Sequence, residues 1–185
     1  MVHGSTLLRR SRLLDISVCL VIVFVPALAQ APVSDISAAV KQAVLGIMSY
    51  TRWPERPSSL RLCVTGQPRY AASLLAGPIR LGEVPVAVSR EALGSGQLGA
   101  HCDAVYAGGT NASEWQLLRL QLAGHPILTI TEDDPQCSAG SMFCLDTAGP
   151  DAQVGFAVNL DSVARSGVQV NPRVLLLGRR RKPAP

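Results

Sequence analysis

ILTITEDDPQCSAGSMFCL, residues 127–145, is the stretch whose reading decides the fold. Ile127, Leu128, Thr129 and Ile130 are apolar or β-branched and lie between Pro126 and the polar run Glu132, Asp133, Asp134 and Pro135, the pattern of a short buried strand. The acidic residues read as a solvated turn, because the alternating ligand spacing and glycine of a calcium loop are missing. Cys137 and Cys144 stand too far apart for a C-x-x-C redox pair and suit a small disulfide-closed loop. So small a loop has little room to bury two large side chains, so Met142 or Phe143 is expected to face outward as a rigidly held apolar knob.

Strand and helix signals alternate on either side of this stretch. Upstream, 60–65 (LRLCVT) reads as a strand, 69–76 as a short helix and 84–89 (VPVAVS) as a second strand, whose Pro85 suits an edge or a strand start. The run 94–99 (GSGQLG) fits G-x-G-x-x-G by letter. It is followed by His101, Cys102 and a strand at 103–107, whereas a dinucleotide fingerprint must leave a strand and open a helix, so it reads as a flexible connector. Ser113 and Gln116 form a capping-box pattern for a helix carrying Trp115, Leu118 and Leu122. Downstream, 154–159 alternates Val154, Phe156 and Val158 as a strand, 161–166 is a brief helix, and Pro172 opens an apolar turn at 174–177. Near the start, Ser34 is the N-cap expected for one long amphipathic helix with Ile36, Val40, Val44 and Ile47 at helical spacing, stopped by Trp53 and Pro54. The predicted fold class is α/β: a single domain with a mostly parallel sheet flanked by helices, and a long N-terminal helix that caps the sheet or mediates a dimer.

Residues 1–29 read as a secretory signal peptide, with Arg9, Arg10 and Arg12 before a short apolar run and an A-x-A site at Ala27-Leu28-Ala29. The α/β domain is then 30–178, and 179–185 a basic flexible tail. Export places Cys63, Cys102, Cys137 and Cys144 in an oxidising compartment, where disulfides persist. Four cysteines allow three pairings; local closure favours Cys137 with Cys144, which leaves Cys63 with Cys102. Losing Arg9, Arg10, Arg12 and Asp15 with the signal segment halves the formal net charge of +4, and the rest is concentrated at Arg179, Arg180, Arg181 and Lys182. A nucleic-acid footprint over the whole surface is therefore not expected.

No chemistry-bearing constellation stands out. His101 and His125 sit beside apolar or turn-forming segments, and there is no G-x-S-x-G elbow, H-E-x-x-H helix or P-loop. The reading is a binding protein and not an enzyme, with no cofactor and no metal site.

Several segments carry a resemblance to a known family: VLGIMSYTRWP (44–54), LRLCV (60–64), CDAVYAGG (102–109), PILTI followed by PQCSAGSMFCL, and FAVNLDSVARSGVQVNPRVLLLG (156–178). Together they resemble the YfiR family, periplasmic repressors of YfiBNR signalling. The resemblance implies binding to a YfiN-like inner-membrane diguanylate cyclase, release by a YfiB-like outer-membrane lipoprotein, and so control of cyclic-di-GMP and biofilm formation. It also implies a homodimer and the pairs Cys63 with Cys102 and Cys137 with Cys144. Phe143 is the expected partner anchor, with Met142, Ala157 and Val163 beside it; Ala157 stands where family members carry an acidic residue. The alternative is a periplasmic small-molecule-binding protein with its pocket at the carboxyl ends of the strands.

Overall fold

The computed structural model describes Met1 and residues 33–178 apart from 56, 133, 135, 136 and 149–151. The signal segment, the cleavage site and the basic tail lie outside the described residues. A seven-stranded sheet runs in the order β3-β4-β2-β5-β6-β7-β8, comprising Ile79–Leu81, Val84–Arg90, Leu60–Gly66, Ala104–Gly108, Leu128–Thr131, Phe143–Asp146 and Gly155–Val158. The central pairs are parallel, and only the outermost pairs, β3 with β4 and β7 with β8, are antiparallel. This is the mixed, mostly parallel α/β domain that the alternation of signals predicts. Pro85 sits at the start of β4, one residue before the pairing with β2 begins at Val86, so its missing N–H costs no bond in that ladder.

Strand alternation sorts the core into two layers. Leu62, Val64, Ala104, Tyr106, Leu128, Ile130, Phe143 and Leu145 share one face with Val40, Val44, Ile47 and Met48 of α1 (Val33–Ser49) and Leu74 of α2 (Ala72–Leu75). Cys63, Val105 and Ala107 point the other way, to Leu98 of α3 (Leu98–His101) and Trp115, Leu118 and Leu122 of α4 (Ala112–Leu122). A short antiparallel ribbon, β1 (Thr51–Arg52) with β9 (Gln169–Val170), ties the end of α1 to the segment after α5 (Leu160–Arg165), and a 3₁₀ helix follows at Pro172–Leu176.

Local details differ from the expectations. Ser34 lies inside α1 and is not its cap. The capping box of α4 is Asn111 with Glu114, two residues earlier than the expected pair, because Asn111 Oδ1 accepts from the Glu114 N–H while the Glu114 carboxylate accepts from the Asn111 N–H. The Gly-rich run is no loose connector at its end: Leu98 is fully buried, and a Cβ on Gly99 would come within 2.5 Å of the Gln121 carbonyl.

The acidic turn is the largest local departure. Glu132 is buried, and its carboxylate accepts from the backbone N–H groups of Arg69 (2.7 Å) and Tyr70 (2.9 Å) and from the Tyr106 hydroxyl. Tyr70 in turn accepts at its carbonyl from the Ser37 hydroxyl of α1, which itself accepts from the Ser73 N–H. One carboxylate thus fixes the 67–70 loop to β6, and through Ser37 that loop seats α1. Glu132→Ala is expected to lower stability by about 3 kcal/mol, since it leaves buried donors without their acceptor, whereas Glu132→Gln keeps part of the pattern and costs less. Urea denaturation of both variants checks this; equal, small losses would mean that water replaces the carboxylate.

The same loop fills the place where doubly wound sheets commonly hold ligands. The chain leaves β2 toward β4 and leaves β5 toward β6, so the crevice should open between the carboxyl ends of β2 and β5. Gly66 and Gly108 face each other there, and a Cβ on Gly108 would come within 2.8 Å of both Glu132 Oε2 and the Pro68 side chain. The chain's own loop closes the crevice.

Candidate functional surface at the cysteine loop

Beside α4, the loop 137–142 packs Ala139 against the α4-side cluster and is tied by Cys137 to Cys144 of β7. Cys137 is joined to Cys144 across a sequence separation of 7, and Cys63 to Cys102 across 39; all four cysteines are buried.

Three sets of bonds hold the loop. The Asp134 carboxylate accepts from the Ser138 N–H (3.1 Å), the Ser138 hydroxyl (3.2 Å) and the Ala139 N–H (3.0 Å), so a second acidic residue of the turn has a structural task. From α4, the Trp115 indole N–H donates to the Ala139 carbonyl. From α5, the Ser162 hydroxyl donates to the Gly140 carbonyl (2.9 Å), and Asn159, which caps that helix by accepting from the Ser162 N–H, donates to the Cys137 carbonyl (3.4 Å). The loop is rigid.

It does not present the expected knob. Met142 is 2% exposed and Phe143 0%. Phe143 opens β7, pairing with Ile130 of β6 and Val158 of β8, and alternation turns its ring into the α1-side core, edge-on to Phe156 at 5.6 Å. Met142 is drawn in with it, its N–H donating to the Thr129 hydroxyl (3.0 Å). The disulfide-closed loop buries both side chains because its second half runs straight into a strand flanked on both sides. Ala157, paired with Cys144, and Val163, packed against the core, are partly buried. The four expected anchors are therefore gathered at one end of the sheet, but largely beneath its surface.

What faces solvent is different. A groove of about 650 Å³ runs between α4, the cysteine loop and α5, lined among others by Arg119, His125, Ser138, Asn159, Ser162 and Arg165. Arg119 and Arg165 are exposed, and among the described residues neither has a carboxylate partner. Leu160, at the start of α5 and next to the groove-lining Asn159, is 71% exposed. None of these three stood out in the sequence, where they sit in ordinary amphipathic patterns. A further groove of about 540 Å³, lined by Asn111, Thr131, Glu132 and Asp134, opens at the N-terminus of α4.

Among the solved structures that the chain resembles are two distant likenesses. One is a conserved domain protein from Vibrio cholerae O1 biovar El Tor, at 12% identity and a TM-score of 0.48, with 78% of this chain and 59% of that one covered. The other is YbdL from Escherichia coli, described as a methionine aminotransferase, at 13% identity and a TM-score of 0.39, covering 75% and 52%. The chain spans little more than half the length of either, and neither likeness carries an inference about activity. A model of the YfiR/HmsC-like family, by contrast, matches residues 37–179, a span that contains both disulfides, the pinned loop and α5. With the match running from the first turns of α1 to just past the 3₁₀ helix, the chain belongs to the YfiR/HmsC-like family.

Proposed function

We propose that this protein is a periplasmic repressor that binds the periplasmic part of a YfiN-like inner-membrane diguanylate cyclase and holds it inactive until a YfiB-like outer-membrane lipoprotein removes it. Its family is one of periplasmic regulators in cyclic-di-GMP signalling, and the observation that carries the reading is the family match over the whole domain. Two disulfides fit an oxidising compartment after cleavage of the 1–29 segment. Among the described residues no helix is long and apolar enough to cross a membrane. The closed crevice between β2 and β5 favours a protein partner over a small ligand.

The contact surface is then the groove rim, where a hydrogen-bonded loop is flanked by two guanidinium groups that have no carboxylate partner among the described residues and could bond a partner's carboxylates. Phe143 is removed from the set of contacts, and Leu160, Arg119 and Arg165 take its place. Pull-down from membranes with the exported protein should recover a cyclase. Arg165→Glu should weaken that interaction at least about tenfold at an unchanged melting temperature, because the side chain is exposed and a central arginine is a common hot spot. Recovery of no cyclase sinks the repressor reading; recovery that Arg165→Glu leaves untouched moves the contact to another face.

A further inference from the structure

The sheet ends in two unlike edges. On one side β3 is three residues long, carries the exposed Arg80 and lies between Pro78 and Gly82, the short, charged kind of edge that discourages a further strand. On the other side β8 is Gly155–Val158, with neither charge nor proline, and among the described residues β7 is the only strand paired with it. Its far side is open.

The phase of the ladder fixes which groups that side offers. The Asn159 N–H donates to the Met142 carbonyl (2.9 Å), which makes these two a hydrogen-bonded pair, and by alternation so are Cys144 with Ala157 and Asp146 with Gly155. Phe143 with Val158 and Leu145 with Phe156 are then the non-hydrogen-bonded pairs, so the N–H and C=O groups of Phe156 and Val158 point away from β7. They flank Ala157 symmetrically.

We propose that β8 pairs antiparallel with β8 of a second copy of this chain, about a two-fold axis that passes Ala157. In that register Phe156 stands opposite the second copy's Val158 and exchanges both backbone bonds with it, and the symmetry repeats the exchange on the other side of the axis. The side chains agree with the backbone. Phe156 and Val158 are half-buried toward the α1-side core, and an aromatic ring beside a β-branched residue is a favourable cross-strand pair. Ala157 meets its own copy in a non-hydrogen-bonded pair, where Cα atoms approach to about 4.5 Å, and a small neutral side chain allows that approach. A strand of another protein would satisfy the same bonds. The second copy is favoured because β8 itself supplies the matching side chains in the matching order. The inference names a surface for a homodimer and does not rest on the repressor reading, since Arg119 and Arg165 take no part in the pairing.

The test is sedimentation velocity of the exported protein over a concentration series. The protein should dimerise, and Ala157→Glu and Ala157→Lys should each weaken the dimer at least about tenfold at an unchanged melting temperature, because each sets like charges face to face on the axis. An equimolar mixture of the two variants should dimerise again. Val158→Pro removes an outward N–H and leaves the ladder to β7 whole, so it should give a monomer as well. In the unsubstituted protein, exchange of the Phe156 and Val158 amide hydrogens should slow as concentration rises, a readout that stands even where a variant fails to fold. A monomer at every concentration overturns the proposal, as does a dimer that Ala157→Glu or Val158→Pro leaves intact. So does exchange at Phe156 and Val158 that ignores concentration: fast exchange would mean a bare edge, slow exchange an edge covered by the chain itself. Folded charge variants whose mixture stays monomeric would overturn the two-fold register.

Discussion

Phe143→Ala is expected to cost about 3–5 kcal/mol, a large part of the roughly 5–15 kcal/mol that holds a domain of this size together. The ring has no exposed surface, is flanked by Ile130 and Val158 on neighbouring strands and meets Phe156 edge-on. Truncation removes that edge-on contact and leaves a cavity that two paired strands and α1 cannot collapse to fill. Urea denaturation with an unchanged m-value would report the loss. A cost under about 1 kcal/mol would mean that the ring is not enclosed, and the outward anchor expected from the sequence would return. On the proposed repressor role, a derepressed phenotype in this variant would report a lost protein and not a lost contact.

The second large effect separates the two bridges. Cys63→Ala with Cys102→Ala should lower stability by about 4 kcal/mol on the loop-closure argument, against about 2.5 kcal/mol for Cys137→Ala with Cys144→Ala, because the loops differ in length. Position adds to the difference. The long bridge joins β2 to the end of α3 within the cluster of Leu98, Val105 and Leu118, so its loss loosens a layer, while the short bridge ties down a loop that Asp134, Trp115, Asn159 and Ser162 still hold. Thermal unfolding of the two double variants, followed by circular dichroism, decides it. Equal losses would mean that the sulfurs over β7 carry as much of the fold as those under α4.

Much of the architecture is legible in the sequence because a parallel sheet buried on both faces writes itself as short apolar runs separated by helices. LRLCVT, DAVYAG and ILTIT are such runs, and each is a strand. The strand Phe143–Asp146 is hidden, since its residues look like the end of a cysteine loop and a continuously apolar run shows no alternation to read. β3 is hidden for another reason: at three residues, between Pro78 and Gly82, it is too short to show a period. At the site, the burial of Glu132 was in principle readable, for it keeps the parity of Leu128 and Ile130 along β6 and so points to the same core. An acidic triplet reads as a solvated turn only when that parity is ignored. Leu160, Arg119 and Arg165 leave no such mark, because their convergence depends on how α4 and α5 flank the loop.

The Glu132 clamp has a consequence for the order in which the chain can acquire its shape. Its bonds to the Arg69 and Tyr70 amides span 63 and 62 residues, and the Ser37 bond that passes the constraint on to α1 spans another 33. Contacts so far apart in sequence are slow to close, and the two made by the carboxylate cannot close until residue 132 exists. A chain that emerges N-terminus first can therefore seat α1 on the 70–73 segment through Ser37, but cannot lock that loop to β6 until Glu132 has followed. Until then Val40, Val44, Ile47 and Met48 lack the part of the core that Leu128, Ile130, Phe143 and Leu145 later supply, and the incompletely covered stripe is a ready substrate for chaperones.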